Sequence, residues 1–212
     1  IDPYTEIQPR IGISFPFTDK TNVYGYYGRF SQLVDLNSMY YTAYDYREQM
    51  YRQGNFFNDP IGFGLEPVRT TQYEIGFKQQ ISNDAALKVT GFYKNQKGLI
   101  QADRVSGQTL AGDLESPYNY VRNGDFATTK GVEFSLALRS VSGLTVDMNY
   151  TAAQAEGTGS GRSSYLAALD RGTQAPTMVN PVDFNQTHSG SINLDYRLKG
   201  TQTFLDGLGS NL

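Results

Sequence analysis

Hydrophobic and polar residues alternate along several segments of the chain with the two-residue period of a β-strand. The pattern is clearest in residues 69–81, where one face carries Thr71, Tyr73, Ile75, Phe77 and Ile81. The other face of that segment carries Thr70, Gln72, Glu74, Lys78 and Gln80. The same period recurs in residues 7–17, 22–30, 86–100, 120–139, 144–156 and 192–198. The chain is therefore predicted to be all-β and built from antiparallel strands.

The predicted strands are joined by connections that are alternately short and long. Short turns are expected near residues 18–22, 82–85 and 140–143, and long connections over about 31–68, 101–119 and 157–183. Outer-membrane barrels have short periplasmic turns and longer extracellular loops. Several predicted strands run to about 13 residues, and about 9–11 tilted residues suffice to cross a bilayer. The alternation of short and long connections therefore favours an antiparallel transmembrane β-barrel segment with short periplasmic turns and long extracellular loops.

In such a barrel the apolar face of each strand meets lipid and the polar face lines the lumen. The residues predicted to face lipid are Ile75, Phe77, Val89, Phe134, Leu136, Val146 and Leu194. The residues predicted to face the lumen are Glu74, Lys78, Lys88, Glu133, Arg139 and Asp147. Aromatic residues expected near strand ends, at the membrane interfaces, are Phe15, Phe17, Tyr73, Tyr93 and Tyr150. The alternative is a soluble extracellular β-sandwich that binds carbohydrate. In a sandwich the apolar face of the sheet would be covered by a second sheet instead of lipid.

Composition agrees with aromatic-rich strands and glycine-bearing turns: the chain has 16 Tyr, 12 Phe and 22 Gly, with no Cys and no Trp. Its Lys and Arg residues are scattered and the net charge is -3, which argues against a nucleic-acid surface. The first residues, IDPYTEIQPR, have neither the basic nor the apolar part of a signal peptide. We therefore expect the chain to be an internal or C-terminal piece of a longer protein.

Candidate catalytic and metal-binding residues are few. His188 is the only histidine in the sequence, and we expect it to play a structural role where a strand begins. The acids Asp113, Glu115 and Asp125 do not have the spacing of a calcium loop. The sequence therefore predicts no enzyme, no catalytic residue, no metal site and no cofactor.

The long connection at 31–68 is the richest candidate for ligand contact, because aromatic rings give large, stiff surfaces and tyrosine adds a polar tip. Its aromatic candidates are Tyr40, Tyr41, Tyr44, Tyr46, Tyr51, Phe56 and Phe57. The alternative is that such loops pack on each other and on lipopolysaccharide. A short amphipathic helix within residues 31–51, capped by Ser31, is also expected.

Three segments resemble TonB-dependent outer-membrane receptors. The most specific is LEPVRTTQYEIGFKQQISNDAALKVTGFYKNQKGLI at 65–100, through Pro67, Thr70, Thr71, Tyr73, Glu74, Ile75, Gly76, Phe77, Phe92, Tyr93, Lys94, Leu99 and Ile100. The segment NYVRNGDFATTKGVEFSLALR at 119–139 is similar through Asn123, Gly124, Lys130, Gly131, Val132, Glu133 and Phe134. PVDFNQTHSGSINLDYRL at 181–198 resembles the Oar-like branch, whose receptors carry a carboxypeptidase-regulatory-like domain.

The resemblance implies that residues 1–212 are part of one outer-membrane β-barrel domain, with about 7–8 strands of a barrel of about 22. It implies uptake of a siderophore, oligosaccharide or peptide, energised by TonB, in the cell outer membrane of a Gram-negative-type bacterium. The family's plug domain and TonB box have no counterpart in this sequence, so TonB would act through that missing region. Outer-membrane lipid, lipopolysaccharide, and a surface-exposed lipoprotein or other envelope proteins are the further expected partners.

Two other functions remain open at the level of sequence. One is a structural or scaffold barrel subunit of an envelope complex, which would show the same strands and needs no plug. The other is a small β-barrel of about eight strands that acts as an adhesin or anchor.

Overall fold

The structure is a computed structural model that describes residues 5–34, 61–62, 64–105, 118–159 and 178–197. The strands in these ranges are β1 (Arg10–Thr18), β2 (Thr21–Gln32), β3 (Ile61–Gly62), β4 (Val68–Gln80), β5 (Ala85–Val105), β6 (Tyr118–Val141), β7 (Leu144–Gly157), β8 (Asn180–Pro181) and β9 (His188–Tyr196). All regular structure in the described ranges is β-strand, which confirms the all-β prediction. These ranges include no helix with the length and apolar character needed to cross a membrane.

The long strands form one antiparallel meander in the order β1–β2–β4–β5–β6–β7–β9. Two short strands pair with the ends of individual long strands. β3 pairs in parallel with the beginning of β6, and β8 pairs antiparallel with the end of β7. In the described part of the chain, β1 and β9 each have one strand neighbour. The sheet is therefore an open arc, which confirms the antiparallel order predicted from the sequence.

Three tight turns lie at one end of the sheet, at residues 19–20, 81–84 and 142–143, close to their predicted positions. The turn between β6 and β7 has positive φ at both central residues, 52° at Ser142 and 88° at Gly143. That combination is typical of a type I′ hairpin turn, whose twist suits antiparallel strands. A Cβ at residue 143 would also lie 2.5 Å from the carbonyl oxygen of Arg197, so glycine is required at this position.

At the opposite end, the outer end of the sheet, two strands continue further than the sequence predicts. β5 has 21 residues and β6 has 24, and their pairing runs to Val105 and Tyr118. Residues 101–105 and 118–119 are therefore strand, although the sequence pattern places them in a long loop. The pattern fails there because the register shifts at Lys97–Ile100, and a bulge breaks the two-residue period.

The prediction of a helix within residues 31–51 is wrong at the residue where the helix was expected to begin. Ser31, its expected cap, lies in β2 and pairs with Arg69. Strand pairing with β4 satisfies the backbone there, so no helix begins at this residue. Residues 35–51 lie outside the described part of the chain.

The register arranges one face of the sheet, here called the apolar face, into cross-strand rows. The central row contains Phe15, Val23, Phe77, Val89, Phe134, Tyr150 and Gly190. Two rows nearer the tight turns contain Leu87, Leu136, Met148 and Ile192, and then Ala85, Leu138, Val146 and Leu194. Thr21 and Gln79 continue the Leu87 row onto β2 and β4, and the other residues of these rows are hydrophobic apart from Gly190 and the hydroxyl of Tyr150.

Three further rows follow toward the outer end of the same face. The glycine row contains Ile13, Gly25, Ile75, Gly91, Val132, Ala152 and His188. The tyrosine row contains Ile11, Tyr27, Tyr73, Tyr93, Lys130 and Gln154. The polar row contains Arg29, Thr71, Asn95, Thr128 and Glu156. The change from apolar to polar side chains therefore takes place at the tyrosine row.

Small hydrophobic cores lie only toward the outer end of the described sheet. Val34, Leu65 and Val121 form one cluster, and Ala127, Ala155 and Val182 form a second. On the apolar face, by contrast, Ile13, Ile75 and Leu194 are 72%, 69% and 69% exposed. A protein dissolved in water rarely exposes so continuous a hydrophobic surface. The described hydrophobic side chains that the chain itself buries therefore lie outside the apolar face, toward the outer end of the sheet.

Candidate functional site

The face opposite the apolar face, here called the polar face, carries all the residues that the sequence assigns to a lumen. They are Glu74, Lys78, Lys88, Glu133, Arg139 and Asp147. Lys78 lies directly opposite Lys88, and like charges so placed repel each other. Among the described residues none of the six forms an ion pair.

Charged side chains border a hollow on the polar face next to the tight turns. The hollow has a volume of about 460 Å³ and is lined by Lys78, Lys88 and Arg139, together with Asp84 and Asp147. Its cations outnumber its acids, and charge-assisted hydrogen bonds to Lys and Arg are strong contacts for carboxylates. The hollow can therefore hold an acidic group that approaches the polar face of the sheet.

A tyrosine and a glycine fix the polar face above this hollow. The hydroxyl of Tyr24 hydrogen-bonds with Oγ1 of Thr90 at 2.5 Å, and Thr90 is buried. A Cβ at Gly76 would lie 2.6 Å from the Tyr24 hydroxyl oxygen, so only glycine leaves room for the ring. Lys88 Nζ lies 5.4 Å from the centroid of the same ring, within the range of a cation–π contact. The ring thus holds one cation of the hollow in place.

Asn123 joins three segments near the outer end of the sheet. Its Oδ1 accepts a hydrogen bond from the backbone N–H of Glu66 at 2.7 Å. Its Nδ2 donates to the carbonyl oxygens of Glu66 at 2.8 Å and of Gly98 at 2.7 Å. Gly98 has φ of 76°, the left-handed region that favours glycine. The asparagine side chain therefore replaces a missing strand partner for the segment that leads into β4.

Asp125 is buried near the same end of β6, five residues beyond Lys130 and so outside the hydrophobic rows of the apolar face. It is 2% exposed, and its Oδ1 accepts a hydrogen bond from Thr158 Oγ1 at 2.8 Å. Its Oδ2 is buried with no hydrogen-bond partner among the described residues. Burial raises the pKa of the Asp125 carboxyl, against the lowering effects of the Thr158 hydrogen bond and the Arg122 guanidinium.

We expect the outer end of β6 to become less stable as pH rises through the folded-state pKa of Asp125. The pKa of Asp125 is higher in the folded chain than in the unfolded chain, so at a pH between these two values the folded chain binds more protons. Protonation of Asp125 therefore stabilises the fold, and this stabilisation is lost as the carboxyl ionises. In hydrogen exchange corrected for its intrinsic pH dependence, the amides of Phe126 and Thr158, which bond between β6 and β7, should lose protection with rising pH. The trend should vanish in Asp125→Asn and persist in Asp147→Asn, and its persistence in Asp125→Asn would contradict the assignment.

The aromatic candidates for ligand contact, Tyr40, Tyr41, Tyr44, Tyr46, Tyr51, Phe56 and Phe57, lie outside the described residues. The strands on either side of them are described: β2 ends at Gln32, which pairs with Val68 at the start of β4. Both ends of the connection that contains the aromatic residues therefore lie at the outer end of the sheet, away from the tight turns. Asp113 and Glu115 also lie outside the described residues.

The residues predicted to face lipid share the apolar face: Ile75, Phe77, Val89, Phe134, Leu136, Val146 and Leu194. Tyr73 and Tyr93 lie in the tyrosine row, whereas Phe15 and Tyr150, expected at the membrane interfaces, lie in the central row. His188 begins β9, and its Nδ1 hydrogen-bonds with the Tyr150 hydroxyl at 2.8 Å. Among the described residues no cluster of three or more His, Asp or Glu side chains could hold a metal.

The sequence pattern gives no sign of the bonds made by Asn123. An Asn-Gly pair usually signals a hairpin turn, but Asn123 and Gly124 lie inside the 24-residue strand β6. The motif resemblance includes both residues without indicating what Asn123 contacts. Only the spatial arrangement shows that this side chain meets residues 66 and 98.

A family model described as TonB dependent receptor-like, beta-barrel matches residues 2–211 of the chain. A search of curated protein sequences finds no match. Among solved structures, the outer membrane transporter YddB from Escherichia coli is similar, with a TM-score of 0.61 and 14% identity over 91% of this chain and 26% of that one.

The pyoverdine outer membrane receptor FpvA from Pseudomonas aeruginosa PAO1, bound to pyoverdine, has a TM-score of 0.55 and 18% identity, over 91% of this chain and 22% of that one. The FrpB iron transporter from Neisseria meningitidis has a TM-score of 0.54 and 14% identity, over 92% of this chain and 25% of that one. At these identities the likeness is one of fold, and the chain spans about a quarter of each of these structures.

Proposed function

The chain belongs to the family of TonB-dependent receptor β-barrels, and on that premise we propose that it is one arc of a receptor for TonB-energised uptake of a bulky nutrient. The protein lies in the cell outer membrane of a Gram-negative-type bacterium. The nutrient would be a siderophore, an oligosaccharide or a peptide. In this role the protein is not an enzyme and uses no cofactor.

The segregation of the two faces carries the proposal. Hydrophobic rows cover one face, and Glu74, Lys78 and Lys88 lie on the other within the same strands. A transporter barrel needs this arrangement, because its outer surface meets acyl chains and its interior meets water. The open edges at β1 and β9 would be completed by further strands, since about 22 strands are needed to enclose a plugged lumen.

The hollow beside Lys78, Lys88 and Arg139 supports a contact with the plug. It lies on the polar face next to the tight turns, which form the periplasmic end of a barrel of this type. An acidic segment of a plug domain would relieve the repulsion between Lys78 and Lys88. TonB would then act on the barrel through that plug.

Ligand contact is assigned to the aromatic-rich connection between β2 and β4, which leaves and returns at the outer end of the sheet. Seven aromatic residues there offer stacking surfaces for a sugar, a peptide or a chelate: Tyr40, Tyr41, Tyr44, Tyr46, Tyr51, Phe56 and Phe57. Two of the similar structures are named as a pyoverdine receptor and an iron transporter. A ferric siderophore is therefore the first ligand class to test.

The proposal predicts a shared uptake defect. Cells that lack this gene and cells that lack TonB should both fail to take up the same nutrient from a panel of radiolabelled ferric siderophores, oligosaccharides and peptides. The native polypeptide, extracted in detergent from the outer membrane, should have an intact mass several times that of these 212 residues. Cells that express the intact gene from a plasmid serve as the control.

Two results would overturn the proposal. An intact mass close to that of the 212-residue chain would remove most of the wall and leave a small barrel that acts as an adhesin or anchor. A large mass without any uptake defect shared with the TonB-deficient cells would leave a scaffold subunit of an envelope complex.

A further inference from the structure

The ring of Tyr24 lies against the polar face of the sheet. Its hydroxyl hydrogen-bonds with Thr90 on β5, so the side chain extends from β2 across β4. Gly76 is the β4 residue paired with both of them, and a Cβ there would lie 2.7 Å from Cζ of the tyrosine. One face of the ring therefore packs on the strand, and the other is directed away from the sheet.

Two further aromatic rings of β2 meet over Gly28. A Cβ at this position would lie 2.6 Å from the hydroxyl oxygen of Tyr26 and 2.9 Å from Cε2 of Phe30. Both distances are too short for a real Cβ, so glycine is what lets the two rings lie along the strand. Tyr24, Tyr26 and Phe30, here called the aromatic column, are half-buried and follow the polar face over most of the length of β2.

Two cations contact aromatic rings beside the column. Cζ of Arg10 on β1 lies 4.6 Å from the ring centroid of Phe30. Nζ of Lys94 on β5 lies 5.2 Å from the ring centroid of Phe92, which is on the polar face of the same strand. Both distances are within the range of a cation–π contact. The rings therefore hold each cation beside the column.

The polar face of β1, β2, β4 and β5 carries more basic than acidic side chains. Over the paired residues of these four strands its cations are Arg10, Lys78, Lys88 and Lys94, and its one acid is Glu74. The Glu74 carboxylate accepts a hydrogen bond from the side chain of Gln72. None of the four cations forms an ion pair among the described residues. The wall formed by these strands therefore attracts anions.

The aromatic column is long enough for an extended ligand. Tyr24 and Phe30 are six positions apart on one strand, which corresponds to about 20 Å at about 3.3 Å per residue. A compact chelate would contact only part of this length, whereas a chain of several sugar units would contact all of it. Peptides that bind in an extended form can add a strand to a free sheet edge, but β2 is paired with β1 on one side and with β4 on the other. An oligosaccharide therefore fits the column better than a chelate or a peptide.

We propose that the aromatic column binds an acidic oligosaccharide as it passes along the inner wall of the barrel. The inference rests on the proposed function, in which the polar face is that wall, and it selects one of the three nutrient classes named there. Sugar rings pack on Tyr24, Tyr26 and Phe30, whose flat faces give large and stiff contact surfaces. Carboxylates of the sugars bind Arg10 and Lys94 through charge-assisted hydrogen bonds.

The first test uses the unchanged full-length protein, purified in detergent from the outer membrane, with isothermal titration calorimetry as the readout. Hexagalacturonate is the probe, and it should bind about tenfold more tightly than digalacturonate, because the longer chain contacts more of the column. It should also bind more tightly than its methyl ester, which has the same sugar rings but no carboxylate charge for the cations.

The second test locates the binding on the aromatic column. Phe30→Ala should weaken binding of hexagalacturonate about tenfold through loss of the ring and of its contact with Arg10. Arg10→Gln should weaken it about fivefold, as expected for one exposed charge contact, and leave binding of the methyl ester unchanged. The matched control is Tyr27→Ala, because Tyr27 adjoins Tyr26 on the same strand but lies on the apolar face. This control should bind as the unchanged protein does.

Each alternative outcome overturns a defined part of the proposal. Equal affinities for hexagalacturonate and its methyl ester would exclude recognition of an acidic sugar. Equal affinities for hexagalacturonate and digalacturonate would exclude an extended column, and both comparisons hold even where Phe30→Ala fails to fold. Weaker binding in Tyr27→Ala than in Phe30→Ala would place the sugar on the other face. A TonB-dependent uptake of another nutrient, without binding of hexagalacturonate, would overturn this inference and leave the proposed function in place. Binding without any uptake defect shared with TonB-deficient cells would overturn the proposed function instead.

Discussion

Replacing Phe134 by Arg is expected to lower the free energy of unfolding of the membrane-inserted protein by about 2–4 kcal/mol. Phe134 lies in the central row of the apolar face, between Val89 and Tyr150, and is 42% exposed. If that face meets lipid, the new guanidinium lies near the middle of the hydrocarbon region, where it has neither water nor an acidic partner. The measurement is guanidinium chloride unfolding of the protein purified from the outer membrane and reinserted into phospholipid vesicles.

The matched control is Asn149→Arg. Asn149 adjoins Tyr150, the cross-strand partner of Phe134, but it lies on the opposite face, between Ser135 and Ser191. If that face lines a lumen filled with water, the charge stays hydrated there, so the expected cost is below about 1 kcal/mol. Equal costs for the two variants, or a larger cost for Asn149→Arg, would show that the face assignments are wrong.

The sequence could predict the two faces because alternation survives wherever strand pairing is regular. From Val68 to Gln80 the register of β4 against β2 and β5 has no shift. Each residue therefore keeps the face that its odd or even position assigns, and Ile75 and Glu74 fall on opposite faces as expected. The resemblance of residues 65–100 to the receptor family falls in this regular region.

Prediction from the sequence failed where the two-residue period is broken. Beyond the register shift at Lys97–Ile100, β5 and β6 still pair, but odd and even positions no longer indicate the faces. The burial of Asp125 could not be predicted either, because it depends on Thr158, 33 positions away in sequence. In the sequence Asp125 is one acid within a predicted strand, whereas the structure shows a side chain that is 2% exposed.

These failures have a common physical cause. Within the bilayer, lipid replaces a protein core, so each strand reveals its environment in its own sequence. Beyond the bilayer the sheet meets water and must bury side chains against other parts of the chain. The clusters around Val121 and Ala127 form from residues distant in sequence, and local periodicity carries no record of such contacts.

Replacing Asn123 by Ala is expected to release the segment before β4 from the sheet, at a local cost of about 2–4 kcal/mol. The change removes all three hydrogen bonds of the side chain, each of which contributes about 1 kcal/mol net. Leu65, 8% exposed and packed with Val34 and Val121, should lose its contacts when the segment opens. The expected loss of stability therefore comes both from the three hydrogen bonds and from the packing of Leu65.

Hydrogen exchange at the Glu66 amide measures this opening directly, because that N–H donates to Asn123 Oδ1 at 2.7 Å. Exchange in Asn123→Ala should be faster by about 30-fold or more, the factor that corresponds to about 2 kcal/mol. Asn149→Ala, at an exposed asparagine of the polar face, should leave that rate unchanged. An unchanged rate in Asn123→Ala would mean that packing of Leu65 alone holds the segment. A faster rate would establish Asn123 as the residue that fixes where the aromatic-rich connection returns to the barrel wall.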